Sequence, residues 1–150
     1  LPFIVKVDLQ EIKVNGNNEI GRDEYLFTLS SFDRILKVRR NVPHKGPYPY
    51  TFEVKQNLLN VFFENEVNLK IIMQVEEIDP IFSETTRQEL EISNILCSNP
   101  LTMNVFRRVT DPRARIDATF HFIISIEPLE NQIRFRQLLG IVKRLLIIKD

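Results

Sequence analysis

The stretch ATFHFIISI, residues 118–126, decides the fold class. Phe120, Phe122, Ile124 and Ile126 occupy alternate positions, with Thr119, His121, Ile123 and Ser125 between them. Side chains along a strand point to opposite faces in turn, so a period of two buries one face and leaves the other to water. Working outward, residues 3–14 (FIVKVDLQEIKV) repeat the pattern. Phe3, Val5, Val7 and Leu9 alternate, then one extra residue intervenes before Ile12 and Val14. That slip predicts a strand with a bulge. Asn15-Gly16-Asn17-Asn18 is a strong turn signal. YLFTL (25–29) and ILKV (35–38) read as strands joined by the short polar link SSFDR (30–34). PHKGPYP (43–49) reads as a loop, and YTFEV (50–54), LLNVFF (58–63), VNLKIIMQV (67–75) and ELEISNI (89–95) as further strands, while 101–106 fits no single pattern.

Short strands with frequent turns and no alternating βαβ rhythm predict an all-β sandwich or barrel. Only the tail departs from this. Phe135, Leu138, Leu139, Val142, Leu145 and Leu146 recur at helical spacing, with Arg136, Lys143 and Arg144 on the other side. We therefore expect a sandwich over 1–128 and a C-terminal amphipathic α-helix within 129–150, spanning 131–148. At two and a half heptads the helix is too short to be read as a coiled coil.

Composition narrows the function classes. A chain of 150 residues with 43% hydrophobic content suits one domain with a real core. Twenty basic and twenty acidic residues cancel, so bulk charge gives no reason to expect nucleic acid as a partner. One cysteine, Cys97, excludes an internal disulfide and points to a reducing, intracellular and cytoplasmic setting. The chain starts with Leu, which is read as the mark of processing or, preferably, of a segment cut from a longer protein, and no signal peptide is visible. The apolar tract 138–148 is interrupted by Lys143 and Arg144 and falls short of the roughly 20 residues a membrane span needs, so no transmembrane segment is expected.

Catalysis finds no constellation. His44 sits in the proline-rich loop, His121 in the middle of a strand and Cys97 in a turn-like CSNP, with no nucleophile elbow and no glycine-rich phosphate loop. One Cys and two distant His do not make a zinc site. The acidic stretch QVEEIDPIFSE (74–84) cannot pair Glu76 with Glu77 over a shared proton, because neighbours on a strand face opposite ways. The expectation is a protein that is not an enzyme.

The order of these segments carries a resemblance. Asp23-Glu24-Tyr25 leads into LFTL, and a basic alternating strand ILKVRRN (35–41) comes after it. A proline-aromatic bend then enters a Phe-x-Phe-like strand, PYPYTFEV (47–54). Next come VEEID (75–79), LEISNIL (90–96) and the closing strand ATFHFIISIEP (118–128). In this order the chain resembles a C2 domain over residues 2–128, without the family's tryptophans. The resemblance implies an eight-stranded antiparallel β-sandwich. It also implies a calcium site built from two loops at one end, which needs several anionic oxygens. Asp23, Glu77 and Asp79 match ligand positions, and Glu84 is nearest to the last one. Asn15, Asn17 and Asn18 stand where a carboxylate belongs. The implied domain is degenerate and calcium-independent, with no cofactor expected and Ca²⁺ as the one candidate.

Basic residues supply the other candidate sites. Lys37, Arg39 and Arg40, with Lys45 nearby, form one group, and Lys37 and Arg39 share a face by period two. Arg107, Arg108, Arg113 and Arg115 form a second, around an expected loop before the last strand. In C2 domains a basic strand in this region contacts acidic headgroups or a protein, and each basic residue near an anionic membrane contributes about 1 kcal/mol. The helix stripe from Phe135 to Leu146 is a further candidate interaction face. The functional expectation is a docking module of a larger intracellular protein, binding a protein partner or other domains of its own chain in a scaffold without calcium. The alternative is targeting to anionic phospholipid membranes through the basic strand and loops, with a weak calcium dependence as an option and with peripheral membrane or cytoskeletal association.

Overall fold

A computed structural model describes residues 2–16, 22–43, 47–78, 83–113, 116–129 and 140, without the side chains of Arg22 and Asp23. Among these residues eight strands form: β1 (Phe3–Val14), β2 (Arg22–Ser31), β3 (Arg34–Pro43), β4 (Tyr50–Phe63), β5 (Val67–Ile78), β6 (Glu84–Ile95), β7 (Leu101–Asp111) and β8 (Ile116–Pro128). They make two four-stranded sheets, β4-β1-β8-β7 and β3-β2-β5-β6, and every neighbouring pair is antiparallel. The described residues up to Leu129 therefore make an all-β fold of two packed sheets. The helix expected over 131–148, with Phe135, Leu138, Leu139, Val142, Leu145 and Leu146, lies outside the described residues.

Burial tracks the alternation. In β8 the residues from Ile116 to Ile126 alternate between buried and half-buried, and β5 alternates from Val67 to Glu77 with its outer positions exposed at Asn68 and Lys70 and half-buried beyond. These strands are central in their sheets, so both ladders are paired and one face meets the other layer. The edge strands β3, β6 and β7 are mostly exposed along their length. The expected bulge in β1 is present. Leu9 pairs with Phe122, but the next partner, His121, pairs with Glu11, leaving Gln10 as the extra residue. The insertion restores Ile12 and Val14 to the buried face that Leu9 occupies.

Two sequence segments, 50–54 and 58–63, turn out to be one strand. β4 runs through both and absorbs its own register shifts against β1, one of them placing Asn57 opposite Asp8 and Leu59 opposite Val7. The extra residue, Leu58, is buried beside Leu59. Asn57 Nδ2 donates to the Val7 carbonyl at 3.2 Å, to Asp8 Oδ1 at 2.8 Å and to the Leu59 carbonyl at 3.3 Å, so the polar segment KQN fastens the bulge.

The core joins the layers through rings. Phe27 of β2 lies 5.9 Å from Phe120 of β8, edge to face, and 5.7 Å from Phe52 of β4. Phe27 and Phe120 are fully buried. Removing a buried Phe side chain costs about 3–5 kcal/mol. Urea denaturation of Phe27→Ala should show a loss of that size, whereas Phe32→Ala, at an exposed ring, should stay within about 0.5 kcal/mol of the parent. A double-mutant cycle of Phe27→Ala with Phe120→Ala should give a coupling of about 0.5–1.5 kcal/mol. Strict additivity would mean that the rings contribute only through their separate burial.

Candidate functional site

Glu77 and the backbone of Asp23 belong to one end of the sandwich, where β2 begins, β5 ends and β6 begins. Glu77 is 3% exposed and faces the interior, in register between Tyr25 of β2 and Glu84 of β6, while half-buried Glu76 falls on the outer face. The two glutamates thus point apart, as their adjacency requires. Glu77 is an inward strand residue set into the end of the core. Asp79 and the side chain of Asp23 lie outside the described residues. Among the described residues no group of three His, Cys, Asp or Glu side chains is placed to hold a metal ion.

The basic candidates are dispersed. Lys37 and Arg39 share the outer face of β3, but Arg39 Nη1 is 2.7 Å from Glu24 Oε1 of the neighbouring strand. Arg40 has the opposite parity and leans toward the other sheet. Its Nη2 donates to the Tyr50 hydroxyl at 3.3 Å, and its guanidinium lies 5.0 Å from the centre of the Phe52 ring. Lys45 lies outside the described residues. Arg107 and Arg108 were expected near a loop, but the structure places both within β7, which continues to Asp111. They are consecutive on a strand and so take opposite faces. Arg108 forms a forked pair with Asp117 of β8, with Nε 2.8 Å from Oδ1. Because β3 and β7 belong to different sheets, each at an edge, the two basic groups do not make one surface.

The outer face of the β1-β8-β7 sheet carries a polar network. His121 Nε2 is 2.9 Å from Asn104 Oδ1, and Nδ1 is 3.8 Å from Glu11 Oε1. The exposed Phe106 ring stacks on the imidazole at 4.3 Å, tilted by only 15°. One row along, Asp117 accepts from Arg108 and from Asn15 Nδ2, the latter at 2.9 Å. The hydrogen bond from Arg108 holds the Asp117 carboxyl below its ordinary range, with Asn15 adding to the effect and partial burial opposing it.

The opposite end of the sandwich holds residues that the sequence alone does not single out. Phe32 and Ile35 of the β2–β3 hairpin are 62% and 67% exposed, and Leu96 of the β6–β7 link and Leu101 at the start of β7 are 69% and 37% exposed. Phe32 sits in the two-residue turn between paired Ser31 and Arg34, with φ at +52°. Tight hairpins place Gly, Asn or Asp at such a position, because a bulky L-residue there is strained. The aromatic in SSFDR was the available signal. Beside it lies an open depression of about 300 Å³, with Phe32, Leu69 and Ile92 as its apolar lining and Asn68, Lys70 and Glu91 among its polar lining. The β5–β6 register shift near Leu69 and the left-handed Asn94, whose N–H donates to Asn68 Oδ1 at 3.1 Å, shape its floor.

No protein-family model and no curated protein matches this chain. Among the described residues no helix is long and apolar enough to cross a membrane.

The Arg108–Asp117 pair has a pH signature. A lowered carboxyl contributes stability that is fully present above the ordinary carboxylate value of about 3.9 and is lost as pH falls through the depressed value. Urea midpoints of the parent and Arg108→Gln should therefore differ most near neutrality and converge in the acid limb, below about pH 4. A constant difference from neutral to acid pH would show that the pair does not perturb Asp117.

Proposed function

We propose that this chain is a non-catalytic, C2-like docking domain of a larger intracellular protein, and that it binds a protein partner without calcium. The apolar end formed by Phe32, Ile35, Leu96 and Leu101 is the docking surface. The observation that carries this reading is Phe32, a large ring held outward by a strained turn. Strain of this kind costs on the order of 1–3 kcal/mol and persists where the surrounding structure imposes it, typically at binding sites. Burying one such ring against a partner removes about 150–250 Å² from water. Large apolar residues left exposed at one end of the sandwich are the kind of feature that supports an interaction surface there. Eight antiparallel strands in two four-stranded sheets support the C2-like architecture.

The non-catalytic part of the proposal draws on how the reactive side chains are occupied. His121 is engaged by Asn104 and Phe106, and Cys97 is half-buried in the β6–β7 link. Calcium independence draws on Glu77, which is buried in the end of the core.

Three forms of the chain separate protein docking from membrane targeting: the parent, Phe32→Asp with Leu96→Asp, and Lys37→Glu with Arg39→Glu and Arg40→Glu. Quantitative affinity capture should recover a set of proteins on the parent and on the charge-reversed form that is lost from the Phe32/Leu96 form. All three should give the same circular dichroism spectrum. Co-sedimentation of the parent with phosphatidylserine vesicles, abolished by the charge reversal, would overturn the proposal in favour of a lipid surface.

A further inference from the structure

Two open sheets leave edge strands, here β3 and β6 in one sheet and β4 and β7 in the other. The outer side of an edge strand presents backbone N–H and C=O groups outside the ladder, a template for one more strand. Three of these edges carry features that oppose such pairing. β4 has the left-handed Lys55 and register shifts against β1. β6 has a register shift near Leu69 and the left-handed Asn94, and it exposes Arg87, Glu89 and Glu91. β3 exposes Arg34, Lys37, Arg39 and Arg40 and ends on Pro43. β7 differs. Its sequence LTMNVFRRVTD has no Pro, Gly or Lys, and it pairs with β8 from Leu101 to Asp111 without a register shift. The uncharged run LTMNVF is the kind of segment that pairs readily when exposed. Leu101 and Phe106 add large exposed apolar side chains. Among the described residues no strand pairs with the outer side of β7.

The sequence of β7 says what fits there, because it is nearly self-complementary about Phe106. We propose that the occupant is β7 of a second copy of this chain, running antiparallel, with a two-fold axis at Phe106. In that register Thr102 faces Thr110 of the other copy, Met103 faces Val109, Asn104 faces Arg108, Val105 faces Arg107, and the Phe106 rings face each other. Threonine pairs, aromatic pairs and apolar pairs are favourable across an antiparallel ladder, and no arginine directly faces another. An axis at Arg107 or Arg108 would set like charges face to face. The axis at Phe106 is also the register that pairs the whole strand. It merges two β4-β1-β8-β7 sheets into one, through the same patch on both copies.

Arg107 limits the strength of this contact. It lies in register with buried Phe120, so it shares the core-side parity of Met103, Val105 and Val109, yet it is exposed. Across the axis the two Arg107 residues become diagonal neighbours, about 7–8 Å apart. That is within the Debye length of about 8 Å at physiological salt, so they repel. Arg108 adds less, because Asp117 offsets its charge. The pairing therefore strengthens as salt rises. It uses the side of the domain and does not depend on Phe32 or Leu96.

Sedimentation velocity of the chain from micromolar to millimolar concentration should show a monomer–dimer equilibrium that shifts toward dimer with added salt. Arg107→Thr should tighten it by about two- to fivefold. Phe106→Lys, at an exposed position, should abolish it with an unchanged circular dichroism spectrum. With Cys97→Ser as background, Phe106→Cys should give an interchain disulfide under mild oxidation, and Glu89→Cys on the β6 edge should not. Phe32→Asp with Leu96→Asp should leave the dimer intact, whatever it does to partner capture. A monomer throughout the range would overturn the proposal. So would a dimer that survives Phe106→Lys or cross-links equally at both cysteine positions, since the copies would then meet elsewhere. Loss of the dimer in the Phe32/Leu96 form would overturn it too, and would place the second copy on the apolar end.

Discussion

The edge-to-face contact of Phe27 with Phe120 is the constraint on which the other packing depends. The two rings come from the centres of different sheets, so their meeting fixes which face of each sheet is inward. Once that is set, the period of two assigns every other side chain on β1, β2, β5 and β8. The extra residue at Gln10 belongs to the same logic. Without it Ile12 and Val14 would be carried to the wet face, and the lower half of the core would lose two of its buried members. The stacked Phe120–Phe122 and Tyr25–Phe27 pairs extend the ring contacts along each sheet from that junction.

Central strands were readable from sequence because burial on one face writes alternation into them. β8 and β5 are plain, and even the slip in β1 could be placed between Leu9 and Ile12. Strands were harder to read where alternation is interrupted or one ladder is open. KQN split β4 into two apparent strands, although Asn57 is what joins them across the bulge. β7 is an edge strand with exposed Thr102, Asn104, Phe106, Arg107 and Arg108, so its sequence shows little of its pairing with β8.

The candidate sites show a different gap between linear order and space. Lys37, Arg39 and Arg40 look like one basic cluster in the sequence, yet one pairs with a carboxylate across its own sheet and another turns to aromatic rings of the opposite layer. Charge counts along a strand say little about the field at its surface until parity and cross-strand partners are known. The apolar end was hidden for the complementary reason. Phe32 and Ile35 lie in one segment and Leu96 and Leu101 in another far along the chain, and only the ring in SSFDR stands out in either. Only the hairpin and the β6–β7 link, ending on the same side of the sandwich, gather them.

The pairing at the ends of β1 and β8 bears on how the domain would behave under load. Phe3 at the start of β1 pairs with Pro128 at the end of β8, so the backbone enters and leaves the described fold side by side. Tension applied at residues 2 and 129 would act across the β1–β8 ladder at its end and peel it open one pair at a time, rather than shearing all its pairs together. That geometry yields at low force. A longer polypeptide carrying this domain could thus use it as an extensible element, surrendering β1 and β8 to a pull well before sheets loaded along their strands would give way.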